Sequence, residues 1–444
     1  MPALNDAGSL VGSADTVISD PHPSSCFNAD CFVSHAFQWR DGVKTDIGAL
    51  PGRNSSFAGS INANGLIGGM SQNGLIDAVT GIPEFVAVVW KHGEIIDLGT
   101  FGGAFSIAGG INVHDQVVGQ AQNAVPDSFS LFGVGTQTRA FLWQDGVMRD
   151  LGTLGGPDAL AFGVNDYGQI VGYSYLNSTP NPDTGIPTLH PFLWKDGQMH
   201  DLGTLGGTIG ISNSLNNRGQ VVGQMNLTGD VTTHPFLWDD GTLTDLGTLG
   251  GNNGLGNWIN DSGEIVGRAD LPGSQKHDAF LWKRGAMIDL GTVEGDLCSN
   301  ALGINSHGQI VGGSSDCTNF LHAFVWDNGG PMLDLNTLVP THAELTLIEA
   351  IYINDDGEIA GIGVPSGCSP LQPESCEHAF LLVPCDDDCE QGNAAVPDAQ
   401  VAIMPAASNS GSSLSNPAAA HSRPMIVRGR FGKPYTLPPS KPHD

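Results

Sequence analysis

The chain has 444 residues, with 46 acidic and 17 basic side chains, 14 histidines and eight cysteines, giving a formal charge of −29. Residues 1–390 carry 12 Lys and Arg against 44 Asp and Glu, while residues 391–444 carry five against two. So acidic a body repels a phosphate backbone and excludes nucleic acid as a partner, and no apolar run reaches the ~18 residues that a spanning helix needs.

Met1 to Leu4 carry neither the charged nor the apolar region of a signal peptide and run straight into Asn5-Asp6-Ala7-Gly8. From there two signatures alternate along the chain. One is Asn-x-x-Gly, then two or three apolar or small residues and a glycine. It starts at Asn5, Asn62, Asn165, Asn216, Asn260, Asn305 and Asn354. Asn112 starts a degraded eighth copy, with Asp115 in place of the first glycine. The other is a Phe-Leu-Trp run ending at Trp39, Trp90, Trp143, Trp194, Trp238, Trp282 and Trp326, and at Leu382 in the last copy. The tryptophans are 51, 53, 51, 44, 44 and 44 residues apart, and the extra residues of the early copies lie between the two signatures. One connection therefore tolerates insertion, which places the insertions on one face of the assembly.

The cleanest copy, residues 234–278, contains four short runs with strand character. They are Pro235 to Trp238, Leu243 to Leu246, a run ending at Trp258-Ile259-Asn260, and Glu264 to Gly267. Asp240-Gly241 suits a type I′ hairpin, which needs two positive-φ residues. Asn260 to Gly263 makes a second tight return. Gly247 to Gly251 has nearly constant length and suits a crossover. Units of this length with four antiparallel strands predict the blades of an all-β propeller. A right-handed β-helix would need shorter rungs. The blade then runs Asn-terminated strand, Ile-Val-Gly strand, Phe-Leu-Trp strand, Asp strand, from the axis outward. Counting predicts eight blades, with a seven-bladed ring as the alternative. Closure is incomplete at the N-terminus: the first blade lacks most of its inner strand. The last lacks its outer strand unless Met425 to Phe431 supplies it. The missing pieces would lie upstream, so Met1 is expected to be an internal start preceded by a signal peptide and an Asp-Leu-Gly-Thr-Leu-Gly-Gly-like segment. The propeller is expected over 1–383, with a Pro/Ala/Ser-rich disordered tail over 384–444.

The most regular charge is Asp46, Asp97, Asp150, Asp201, Asp245 and Asp289, each seven residues after its tryptophan, with Asp334 eight after. A ring of carboxylates could hold cations, but each is more simply a turn acceptor for the following Gly-Thr backbone. Seven equivalent copies lack the asymmetry of a catalytic pair. His35, His190, His234, His322 and His378 open the Phe-Leu-Trp strand where Val86, Arg139 and Asp278 stand elsewhere. That mixture argues for structural histidines. The seven tryptophans read as blade-interface core rather than a sugar-stacking surface. The cysteines fall as near neighbours, Cys26 with Cys31, Cys298 with Cys317, Cys368 with Cys376 and Cys385 with Cys389, which suggests disulfides and an oxidising compartment. Catalytic and metal motifs are absent, as are cofactor motifs. The Asn181 to Gly185 and Cys385 to Cys389 stretches offer at most weak calcium binding and read as turns.

The string His-Ala-Phe-x-Trp at His35 to Trp39 and His322 to Trp326, followed by Asp-Leu-Gly-Thr-Leu-Gly-Gly and Ile-Asn-x-x-Gly-Gln-Ile-Val-Gly, resembles the HAF family of bacterial extracellular repeat proteins. The resemblance covers about residues 4 to 383. It implies a secreted repeat protein, a β-propeller without known catalytic residues. The expected function is a non-enzymatic, monomeric scaffold presenting loops on one face to a protein or glycan partner. The alternative is a carbohydrate-binding or carbohydrate-active propeller.

Overall fold

A computed structural model describes residues 2–401, apart from 24–25, 27–30, 53, 134, 340–344, 366, 368–376 and 385–398. Eight blades follow one another, over residues 3–48, 56–99, 102–150, 159–201, 206–245, 254–289, 298–334 and 345–401. Each is four antiparallel strands in chain order, and single parallel bridges (Phe85 to Phe105, Leu189 to Ile209) link blades 2 to 3 and 4 to 5. The fold class is the eight-bladed propeller that the repeat count predicts. The inner strand of blade 1 is only Ala3–Leu4, against six residues in Ser56–Ile61. The outer strand of blade 8 is Ala399–Val401, paired with His378–Pro384. The fourth strand of that blade therefore comes from the segment read as tail, upstream of Met425 to Phe431. Those residues lie outside the described structure, as do Cys368, Cys376, Cys385 and Cys389.

The repeat's invariant letters each have a packing reason. The glycine of Ile-Val-Gly lets the inner strand bulge against it. A Cβ on Gly69, Gly119, Gly172, Gly223, Gly267, Gly312 or Gly361 would meet a carbonyl oxygen of that strand at 1.8 to 2.1 Å. The phenylalanine of the third strand closes over the same spot. Phe141, Phe192, Phe236, Phe280, Phe324 and Phe380 are fully buried. The tryptophans two places later are less enclosed: Trp90, Trp143 and Trp326 are buried, but Trp39, Trp194, Trp238 and Trp282 are half-buried. The blade core is centred on phenylalanine, with tryptophan at its rim. The third-to-fourth turns of blades 1, 3, 4 and 5 are Asp-Gly pairs with both residues at positive φ, as at Asp240 (42°) and Gly241 (85°), and His92, Arg284 and Asn328 take the first place in blades 2, 6 and 7.

The asparagine of the first signature joins the blades. Its side-chain N–H donates to the backbone carbonyl of the next blade's asparagine. The bonds run Asn5 to Asn62 (2.9 Å), Asn62 to Asn112 (2.9 Å), Asn112 to Asn165 (2.9 Å) and Asn165 to Asn216 (3.0 Å). They continue Asn216 to Asn260, Asn260 to Asn305 and Asn305 to Asn354, each 3.0 Å. Asn354 then donates to Asn5 at 3.2 Å, so the ring is closed without any strand exchanged between the first and last blades. All eight asparagines are buried. In each, Oδ1 also accepts the N–H four residues on, as Asn216 does from Gln220 (3.0 Å), which locks the local turn.

The second amide hydrogen explains the degraded copy. In six blades it goes to the side chain four residues on, Gln116, Gln169, Gln220, Glu264, Gln309 or Glu358. In blade 2 that position is Leu66, which cannot accept. Instead Asn62 donates to Asp115 Oδ1 of the next blade (2.9 Å), and Lys91 bonds the other oxygen (2.9 Å). Asp115 occupies a turn position that is glycine elsewhere and takes φ 59°. In other blades that glycine faces the preceding glutamine: a Cβ on Gly168 would lie 3.1 Å from Gln116 Oε1, and one on Gly219 2.9 Å from Gln169 Oε1. Leucine at 66 and aspartate at 115 are therefore one coupled exchange. Leu66→Gln alone should destabilise by ~1–3 kcal/mol through crowding, and Asp115→Gly alone by ~1–2 kcal/mol through the lost acceptor. The double variant should approach the parent, a coupling of at least ~1 kcal/mol in chemical denaturation. Strict additivity would sink this account.

Candidate functional site

The antiparallel order puts the first-to-second and third-to-fourth turns on one face, and the second-to-third hairpins and the blade crossovers on the other. The turn face is nearly uniform. The hairpin face is not. The second strands of blades 1 to 4, Leu10–Ser19, Ile67–Ile76, Val117–Pro126 and Ile170–Pro180, are ten or eleven residues long, with exposed outer ends. Those of blades 5 to 7, Val221–Leu227, Ile265–Asp270 and Ile310–Ser315, are six or seven. The long hairpins carry large apolar side chains into solvent: Val17 (79% exposed), Leu75 (60%), Val79 (80%) and Val125 (50%), with Ile18 and Ile76 beside them. This projecting set was not visible as a sequence pattern, because each hairpin differs in its residues.

In blade 3 the hairpin loop folds back instead. Phe132 packs on Phe105 and Phe85, with centroids 5.9 and 5.7 Å away. Leu131 and Thr138 donate their N–H groups to the fully buried Asp158 of blade 4 at 2.6 and 3.0 Å. Burial drives the Asp158 pKa up to about 7; the two N–H bonds oppose this and neighbouring Asp127 adds to it.

The repeated aspartates sit on the outer strands. Asp46, Asp97, Asp150, Asp201, Asp245 and Asp289 each accept the N–H of the glycine two residues on at 2.7 to 2.8 Å. Asp334 accepts the Asn336 N–H (2.8 Å) at the start of a 3₁₀ turn, Leu335–Thr337. The histidines reach the same carboxylates: His35 to Asp46 (2.9 Å), His190 to Asp201 (2.8 Å) and His234 to Asp245 (2.8 Å), with Arg139 on Asp150 (2.9 Å). His322 turns instead to the buried Asp296 (2.9 Å), and His378 is held in its neutral form first by burial and then by Lys44. In blade 6 the partner is acidic. Burial and the facing Asp289 push the Asp278 pKa up to about 6.

Two of the expected disulfides are present, Cys26–Cys31 in the blade 1 hairpin and Cys298–Cys317 in blade 7, with Cα atoms 5.0 and 4.9 Å apart. Asn181 to Gly185 is a closed hairpin turn, with Asn181 Oδ1 accepting the Asp183 N–H (2.8 Å). The Cys385 to Cys389 stretch lies outside the described residues. No helix is long and apolar enough to cross a membrane among them.

No family model matches the chain, and no curated protein matches it. Solved structures match it at low identity. The β-propeller domain of the Trilobed protease from Pyrococcus furiosus, described as having an open velcro topology, is 9% identical with a TM-score of 0.44, over 73% of this chain and 92% of that one. A prolyl endopeptidase is 8% identical with a TM-score of 0.47 over 92% of this chain and 50% of its own length. The Pyrococcus horikoshii acylaminoacyl peptidase is 12% identical with a TM-score of 0.40 over 87% and 57%. The chain thus spans about half the length of these two peptidases.

The raised pKa values carry a pH signature. Asp158 and Asp278 favour the protonated form in the fold, so their contribution is full below the unfolded value near 4 and is lost as pH rises through about 6 and 7. Asp278→His would rebuild the clamp of blades 1, 4 and 5. It should raise the melting temperature by ~2 °C or more at pH 8, with a smaller gain at pH 5. An equal gain at both pH values would show that Asp289 does not oppose ionisation at 278.

Proposed function

We propose that the chain is a secreted, non-enzymatic scaffold of HAF-repeat type whose long hairpins bind a protein partner. The observation that carries this reading is the row of solvent-facing apolar side chains on the hairpins of blades 1 and 2, Val17, Ile18, Leu75, Ile76 and Val79, with Val125 on blade 3. A soluble propeller gains nothing for its own core from such residues, and clustered exposed apolar groups mark interaction surfaces. Each hairpin pairs again beyond the irregular stretch that holds these groups, Ser19 with Phe32, Ile76 with Pro83 and Pro126 with Thr136, which limits the entropy they lose on docking. Two disulfides suit a non-reducing compartment. The His–Asp pairs support a structural rather than catalytic role. They recur in three blades in one register, and each carboxylate is already committed to a glycine N–H.

The scaffold reading is tested by placing a photo-crosslinking side chain at Val79 on the hairpin face and, as a control, at Val147 on the turn face. In the source organism's surface or medium fraction, the Val79 probe should trap one defined protein. Leu75→Ser should abolish the product without changing the melting temperature. Equal yields from both faces, or none from Val79, would overturn the assignment.

A further inference from the structure

One loop of the hairpin face folds inward where its neighbours project. Phe129 to Phe132 of blade 3 form a lid whose side chains reach several blades. Phe132 lies on Phe85 of blade 2 and Phe105 of blade 3. Leu131 joins a buried cluster with Leu160, Tyr175 and Leu189 of blade 4, bordered by Ile209 of blade 5. The lid therefore roofs an aromatic, apolar surface, and the same hairpin carries the projecting Val125.

Polar groups fix the closed position. Asp158 of blade 4, fully buried, accepts the N–H of Leu131 on one oxygen (2.6 Å) and that of Thr138 on the other (3.0 Å). Asp127, at the start of the lid, turns a second carboxyl group against it. Asp127 Oδ1 accepts the Phe129 N–H (2.9 Å), whereas Oδ2 is buried and accepts from no protein group. Two carboxyl groups in contact away from water do not both ionise; they share a proton. That proton is the donor that Asp127 Oδ2 otherwise lacks. Nothing else nearby replaces it. Arg139 is committed to Asp150 (2.9 Å) and to the Pro157 carbonyl (3.1 Å). The Ser174 hydroxyl and the Tyr175 N–H go to the Asp158 backbone carbonyl (2.8 and 3.0 Å). The remaining titratable side chains of the cluster are the phenols of Tyr173 and Tyr175.

We propose that this lid is a proton-controlled gate over a second part of the partner-binding surface, shut by the proton that Asp127 and Asp158 share and released when it is lost. With the proton gone, two buried carboxylates face each other. The lid then moves toward solvent and uncovers Phe85 and Phe105. In the closed form burial holds the Asp158 proton up to about pH 7, against ~4 for an exposed aspartate. Closure is therefore fully favoured below ~4 and is lost as pH rises through about 7. The use of the gate rests on the protein-binding reading, but its operation does not, and the experiment reads the lid alone.

Hydrogen exchange of the full chain measures the opening. The protection factors of the Leu131 and Phe132 amides should fall at least about tenfold between pH 5 and pH 8, while that of Gln220, held by Asn216 in a ring turn, stays constant. Asp127→Asn puts an amide N–H where Oδ2 stands, a donor to ionised Asp158 that no longer depends on pH. In that variant both lid amides should stay protected at pH 5 and pH 8. Asp158→Ala removes the acceptor and should leave them unprotected at both; where it fails to fold, Asp127→Asn decides alone. Constant protection in the parent, or a pH-dependent loss that survives Asp127→Asn, would overturn the proposal. So would equal loss at Leu131 and Gln220, which would mean that the ring opens rather than the lid.

Discussion

The whole ring depends on one side-chain amide used eight times. An antiparallel blade is held internally by its own ladder, but nothing in that ladder says where the next blade lies. The buried asparagine does. Its Oδ1 closes its own turn, as at Gln220 N–H, and its Nδ2 reaches the next asparagine's carbonyl. Both partners are buried backbone or side-chain groups that would otherwise go unsatisfied, at a cost of ~1–3 kcal/mol each. Closure rests on the same device. Blade 1 has two inner-strand residues, yet Asn354 finds Asn5 as the other asparagines find theirs. Leu10 and Phe37 of blade 1 then pack with Ala360 and Leu381 of blade 8 as an ordinary blade interface.

Much of this was legible in the sequence. The period, the four strands, their order from the axis, the Asp-Gly hairpins and the single connection that accepts insertions follow from local chemistry, which acts over a few residues. The aspartate turns are local too. What escaped notice is what acts across a blade boundary. An asparagine before x-x-Gly reads as a turn residue, and its partner lies 44 to 57 residues away in sequence for neighbouring blades, or 349 at the seam. Leu66 and Asp115 each look like decay of the repeat, and only the Asn62 amide that both of them border shows them to be a compensated pair. The outer strand at Ala399–Val401 sits in a Pro/Ala-rich segment whose composition gives no strand signal, because it is recruited by the edge of blade 8 rather than by its own propensity.

The tryptophans show why the repeat's most conspicuous letters were read too simply. Phenylalanine sits opposite the Ile-Val-Gly glycine and is sealed by it, whereas tryptophan, two residues nearer the turn, meets the open boundary between blades. In Trp90 the neighbours close over the ring, and its indole N–H donates to the Gly48 carbonyl (3.3 Å). In Trp238 they do not, and the ring borders a groove. The same letter therefore packs on the blade-interface core in every copy, sealed over in one blade and half-covered in another, and only the residues around it decide which.

The two faces of such a ring can vary independently, and this chain uses that freedom. Insertions between the second and third strands lengthen hairpins on one face without moving the turns on the other, because the inner strands remain tied to the asparagine ring. The tryptophan period falls from 51 to 44 residues after blade 4, so the hairpin face changes character there. On the turn face the same boundary keeps its asparagine bond, Asn165 to Asn216 at 3.0 Å, while the residues just beyond it change to Tyr167 and Arg218. The residue after the asparagine adds to the bond, Asp166 N–H donating to Asn217 Oδ1 (3.0 Å) and Asn217 N–H to Asp261 Oδ1 (2.8 Å), while Tyr167, one place further on, stands 78% exposed. A change two places after the asparagine leaves that bond in place, so blades can differ there while the ring stays closed.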